Sequence, residues 1–138
     1  SGGRSQYVSK DEPKVLWEDE NIAVMLKGPG WIVAISRDEE HTKGLVALLK
    51  RKGTSEARGL VESGEPEHFC HYLMLKYSDD SGHFLSRSIE NQFGIAHRLD
   101  VDTSGALMVG KTEAGFSHLR RAFISHEVFK EYVCLVHG

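Results

Sequence analysis

One carboxylate in this 138-residue chain stands in company that could do covalent chemistry. Residues 97–105 read His97-Arg98-Leu99-Asp100-Val101-Asp102-Thr103-Ser104-Gly105. If the backbone is extended over 97–100, the period of two puts Arg98 and Asp100 on one face and His97 and Leu99 on the other. One face then carries chemistry and the other packs. A guanidinium beside a carboxylate favours the charged form, the state a nucleophilic aspartate needs. The same letters also describe an exposed ion pair beside a turn, which contributes little to stability.

Other chemistries can be read nearby. Gly105-Ala106-Leu107-Met108-Val109-Gly110-Lys111-Thr112 fits G-x-x-x-x-G-K-[ST], the pattern of a phosphate loop. Such a cradle is a compliant loop whose amides converge on the ligand. Here the interior Ala106–Val109 is itself an apolar run, so a strand is expected in its place. Asp100-Val101-Asp102-Thr103 has the D-x-D of magnesium-dependent phosphotransferases, but Ala96-His97-Arg98-Leu99 is not the hydrophobic strand that should precede it. Asp102-Thr103-Ser104-Gly105 is half of an aspartic-protease pair, and the chain has no second copy. His68, Cys70 and His71, with His83 not far away, lack four-ligand zinc spacing, so structural histidines are expected there.

The nine-residue run resembles the active-site motif of RNA pseudouridine synthases of the RluA/RsuA type. Neighbouring segments follow the same order: Lys27-Gly28-Pro29-Gly30 upstream, Ala106–Thr112 after the run, and Lys130-Glu131-Tyr132 downstream. The resemblance covers Val15 to Gly138. It implies isomerisation of uridine to pseudouridine in tRNA or rRNA, with no cofactor and no metal. In that reaction the N1–C1′ bond breaks, the uracil turns in place, and C5 takes over the bond. Asp100 is implied as the nucleophile, adding to the ribose or acting through a glycal-type elimination. Arg98 is implied to fill the space left by the flipped base, since its planar guanidinium can stack as well as pair with phosphate. Tyr132 is implied to pack on the uracil, and His97, Leu99, Thr103, Ser104, Gly105 and Lys27 to support the site.

Three departures go with the resemblance. Family members commonly carry K-P-x-G where this chain has Lys27-Gly28-Pro29-Gly30. The stretch 51–88 has no family pattern. The family's later G-R-x-H-Q-I-R motif, which supplies the basic partner of the aspartate, does not occur in these residues. The expectation is therefore a partial catalytic domain over 14–138, inactive by itself, after a flexible segment or cloning remnant over 1–13. A non-catalytic RNA-binding or interaction module that keeps half the fold is the second reading, and a nucleotide-binding phosphate loop the third.

The elements that must position these residues can be read from periodicity. Lys14–Glu18, Ile22–Leu26 and Trp31–Ile35 are short β-rich runs separated by turn residues. Lys43–Lys52 places Leu45, Leu48 and Leu49 on one side, an amphipathic helix closed by Gly53. Thr54–Glu67, rich in Gly, Ser and Glu, is expected to be a mobile loop. Phe69–Tyr77 has helical spacing, and a weaker helical stretch follows around Leu85–Gln92. Gly94–Leu99 is expected to be extended and Ala106–Val109 a strand. Thr112 is placed to cap a helix running to about His126, with Phe116, Leu119 and Phe123 as its buried stripe. Glu127–His137 is expected as one long strand with an open edge, through which the chain would self-associate. The fold class is α+β: a mixed, mainly antiparallel sheet with peripheral helices, as the resemblance also implies.

Composition bounds the rest. The chain is 40% hydrophobic and 27% charged, one ordinary globular domain able to bury a core. Its net charge of -3 is not that of a uniformly basic nucleic-acid binder. A local excess does occur between His41 and Arg58, where Lys43, Lys50, Arg51, Lys52 and Arg58 face only Glu56. Cys70 and Cys134 lie far apart in apolar surroundings and are expected as reduced thiols, which points to an intracellular compartment. The apolar runs are too short to span a bilayer, so no membrane partner is expected.

Overall fold

The computed structural model describes residues 9–33, 38–77 and 92–125. Strands β1 (Lys14–Glu18) and β2 (Ile22–Lys27) are followed by β3 (Trp31–Ile32) and helices α1 (Glu39–Lys52) and α2 (Ala57–Glu62). Then come β4 (Glu67–His68), α3 (Phe69–Lys76), a single 3₁₀ turn (Gln92–Gly94), β5 (Gly105–Gly110) and α4 (Glu113–Ser125). The principal sheet is antiparallel in the order β1-β2-β5, and β3 pairs with β4 in parallel. This is the expected α+β class, helices flanking a mainly antiparallel sheet.

The central strand explains its own sequence. Ala23 and Met25 face a core shared with Trp31, Leu49, Leu60, Phe69, Tyr72, Leu73, Leu107 and Val109. Val24 faces the other way, into a smaller cluster with Ala106, Met108 and Leu119 under α4. A strand covered on both sides needs an unbroken apolar run, and Ile22–Leu26 is one. Trp31 sits at the centre of the larger core with no exposed surface, its ring edge-on to Phe69 and Tyr72 at 6.5 and 5.2 Å. Its indole N–H donates to the Asp11 carbonyl at 2.9 Å.

Local chemistry sets the boundaries. Asp19 Oδ1 accepts from the amides of Asn21 and Ile22, both at 2.8 Å, closing the β1–β2 hairpin. Those two amides also hold the Asp19 carboxyl below its ordinary pKa. Asp38 caps α1 through the amides of Glu40 and His41, so the helix starts four residues before the expected Lys43; Gly53 ends it as expected, at φ 54°. Thr112 Oγ1 accepts from Gly115 N at 3.2 Å and donates to Asn21 Oδ1 at 2.8 Å, which ties the start of α4 to the hairpin.

Several expectations are corrected. The stretch 54–67 is not a loop: Ala57, Leu60 and Val61 sit at helical spacing and pack on the main core, which makes α2. Residues 9–13 are not a loose leader, since Lys10 is buried over the Trp31 ring and donates to the carbonyls of Ser63 and Glu65. The strand expected over Gly94–Leu99 shrinks to a single bridge, Ile95 to Val109. Two features stop it. Phe93 and Gly94 both have positive φ, and Gly94 lies so close to Gly110 that a Cβ would fall 2.2 Å from its carbonyl oxygen. The His97 ring then takes the Met108 amide that a further ladder bond would have used.

The strand expected over 127–137, and with it Tyr132 and the proposed self-association, lies outside the described residues. So does nearly all of the weak helix expected around 85–92. Among the described residues no helix is long and apolar enough to cross a membrane.

Candidate active site

The loop between Asp100 and Ser104 is built from the end of β2. Lys27 is the last residue of that strand and pairs with Gly105, the first of β5, so its side chain comes up beneath the loop that enters β5. It has no exposed surface. Its Nζ donates to the carbonyls of Thr103 at 2.7 Å, Asp100 at 3.0 Å, Val101 at 3.3 Å and Gly28 at 3.0 Å. An ammonium has three protons for these four acceptors, so the site is a saturated cage for a cation. Burial lowers the Lys27 pKa to about 8, against the opposing pull of the Asp102 and Asp100 carboxylates. Two amides complete the loop: Thr103 N donates to Asp100 O at 3.0 Å, and Gly30 N to Val101 O at 2.8 Å. Gly30 has φ 95°, a conformation that favours glycine and that turns its amide toward the loop.

The segment entering the loop is fixed from the other side. His97 Nε2 accepts from Met108 N at 3.0 Å, and its ring lies 4.5 Å from that of Phe123 on α4. With Nε2 as acceptor the proton resides on Nδ1 and the ring is neutral. Burial pushes the His97 pKa down to about 4, in keeping with that state. His97 and Leu99 are half-buried, whereas Arg98 and Asp100 are exposed, so the alternation read from the sequence persists without a regular strand. Leu99 packs against the main core. Thr103 is half-buried, Ser104 exposed and Gly105 buried.

Arg98 and Asp100 share an outward face, yet no ion pair joins them among the described residues. The cation that does reach Asp100 is Lys27, through the main chain. Sequence reading placed Lys27 in support of the site but not inside a cage of carbonyls, and it missed the Gly30 amide altogether. The available signal was a lysine closing a wholly apolar strand immediately before Gly-Pro-Gly.

A cleft of about 450 Å³ opens beside the loop, lined by Asp11, Glu12, Lys14, Leu26, Lys27, Gly28 and Ser104. The phosphate-loop reading fails on geometry. Gly105–Gly110 is a buried strand, and Lys111 donates to Glu18 at 2.8 Å and to the Asp19 carbonyl at 2.7 Å. Around His68 and His71, burial lowers both imidazole pKa values, and among the described residues no three His, Cys, Asp or Glu side chains gather as a metal would require. The arrangement therefore offers an exposed carboxylate on a main chain pinned from two sides. Such fixed placement is what a nucleophile needs to meet a substrate without paying for reorganisation.

Comparison with known proteins bears on the same segment. A family model described as RNA pseudouridylate synthase matches residues 70–138, which include the whole of 97–105. The chain is 30% identical over 110 residues to an uncharacterized RNA pseudouridine synthase of Helicobacter pylori, covering 74% of this chain and 37% of that protein. It is 42% identical over 89 residues to an uncharacterized RNA pseudouridine synthase of Bacillus subtilis, covering 61% and 28%. Over 50 residues it is 42% identical to the ribosomal large subunit pseudouridine synthase D of Blochmanniella floridana, covering 36% and 16%. The chain thus spans well under half the length of each of these relatives.

Proposed function

The chain belongs to the RNA pseudouridylate synthase family, and we propose that the protein isomerises uridine to pseudouridine in structured RNA, tRNA or rRNA, with Asp100 as the nucleophile. One observation supports this above the others: the Lys27 ammonium holds the carbonyls of Asp100 and Thr103 while the Asp100 side chain stays exposed. Main-chain hydrogen bonds hold the loop, and the Asp100 carboxylate is left to meet the substrate.

In this reading the target uridine leaves its stack to reach Asp100, at a cost of a few kcal/mol. Arg98, exposed two residues before Asp100, fills the gap with its flat guanidinium and pairs with phosphate. Asp100 attacks at the ribose or accepts a proton from it as the N1–C1′ bond breaks. The uracil turns and C5 bonds to C1′ as Asp100 leaves that carbon or returns the proton it took; the proton on C5 is lost and N1 gains one, so the product is an isomer. Tyr132 is assigned the uracil face. The basic partner of Asp100 belongs to a motif these residues lack, so the 138 residues alone are expected to bind RNA without turning it over. An intracellular setting accords with Cys70, a buried free thiol whose pKa burial pushes up to about 12.

The test is Asp100→Asn in the full-length protein. Pseudouridine formation is expected to vanish while RNA affinity stays nearly unchanged, because affinity comes mostly from basic groups. Turnover retained by Asp100→Asn would overturn the assignment.

A further inference from the structure

The edge of the sheet carries an exposed tryptophan on a face it would not occupy in a regular strand. In β1, Lys14 lies opposite Leu26 and Val15 opposite Met25, but Trp17 lies opposite Val24, so Leu16 is an extra residue in a bulge. Without the bulge, Lys14 and Trp17, three residues apart, would point to opposite faces. With it, both share the face of Leu26 and Val24. That is the face α4 covers over β5, and the cover stops short of the edge: Trp17 is 55% exposed.

The surroundings say what could lie there. Lys14 also lines the cleft that holds Lys27 and Ser104, so a cation stands between that cleft and the aromatic ring of Trp17 on the same face. Of the three acids at the end of the hairpin, Glu20 is exposed at the turn and two are otherwise engaged. Glu18, opposite Ala23 and so on the far face, binds Lys111, and Asp19 binds the turn amides. Asp11 in the cleft is an acceptor suited to ribose hydroxyls and base amino groups rather than to phosphate, whereas one oxygen of Glu12 already accepts from the Tyr72 hydroxyl at 2.8 Å. An aromatic platform, a cation one step along and acceptors beyond match an unpaired RNA strand, whose bases stack on aromatic rings and whose 2′-hydroxyls donate.

We propose that β1 is a stacking platform for single-stranded RNA flanking the target uridine: a base rests on Trp17, its phosphate meets Lys14, and the strand continues through the cleft to the Asp100 loop. This rests on the RNA-modifying function proposed above.

The chain has two tryptophans, and Trp31 is fully buried, so the emission that a base in contact can quench is that of Trp17 at the surface. Titration with an unstructured oligouridine of about ten nucleotides, a length within the range of single-strand sites, is expected to quench that emission saturably. Trp17→Ala should remove the quenching and weaken binding about five-fold or more, whereas Trp17→Phe should keep most of the affinity. Lys14→Gln should lower the salt slope by about one. Unchanged affinity in Trp17→Ala overturns the platform, as does a concentration-dependent dimer that shields Trp17 from RNA. Asp100→Asn separates the two ideas: it should bind and quench as the unaltered chain does, and retained turnover by the same variant of the full-length protein sinks the nucleophile and leaves the platform standing.

Discussion

The Lys27 ammonium lies 3.0 Å from the carbonyl oxygen of Asp100, a buried cation touching the residue assigned the nucleophile's role. The contact is to the main chain, so Lys27 can fix where Asp100 stands without neutralising its carboxylate by direct pairing. Asp100 and Val101 also receive amides from Thr103 and Gly30. The carbonyls of Gly28 and Thr103 depend more heavily on Lys27.

Turnover in the full-length protein should therefore fall as pH rises through about 8, the Lys27 pKa. Deprotonation takes the donor count from three to two and removes the charge, so the loop loosens. Stability runs the other way. Between about pH 8 and the ordinary 10.5 the unfolded chain binds more protons at this site than the folded one, so Lys27's contribution to stability grows with pH across that window. Lys27→Met should lose the alkaline limb, and with orphaned carbonyls it should lose about 2 kcal/mol in urea unfolding. A pH–rate profile flat to pH 10 in the unaltered protein would contradict the cage.

His97 is expected to stay neutral well below the usual imidazole range, with its proton on Nδ1. Its folded pKa, near 4, lies below the ordinary 6.5, so the unfolded chain binds more protons between those values. The stability it contributes is full above pH 6.5 and is lost as pH falls through 4. Nitrogen chemical shifts across an acid titration check this, and a midpoint near 6.5 would show that the ring is not buried as described.

Gly115→Ala should destabilise α4's docking although alanine favours helix. Propensity alone would gain about 1 kcal/mol. The added Cβ, however, would lie 2.0 Å from the Asn21 carbonyl oxygen, a backbone atom that cannot swing away. Overpacking of this kind costs about 1–3 kcal/mol or more, so the net sign is a loss, and thermal unfolding should show a lower Tm.

Much of this was legible in the sequence. The run 97–105, the Thr112 cap, the Gly53 stop and the apolar centre of the sheet all declare themselves through residue type and short spacing. What stayed hidden depends on long-range placement. Lys27 and Lys10 look like surface lysines, because lysine is almost never fully buried unless paired, and their partners are backbone carbonyls with no sequence signature. Helix α2 hid in a stretch whose glycine, serine and glutamate content reads as loop, since its three apolar residues make sense only against α3. The bulge at Leu16 leaves no mark in composition, yet it decides which face Trp17 takes.

Lys27 and Asp100 are 73 residues apart in the chain. Closing so long a segment costs entropy that only later contacts repay, so the loop cannot take shape while β2 stands alone. Its geometry appears only once β5 has docked against β2. That timing makes the candidate site a late reporter of folding. Exchange of the Thr103 and Gly30 amides should track opening of the β2–β5 pair and not local fraying. A variant that merely slows this docking would resemble a catalytic defect, although no reacting group had been touched.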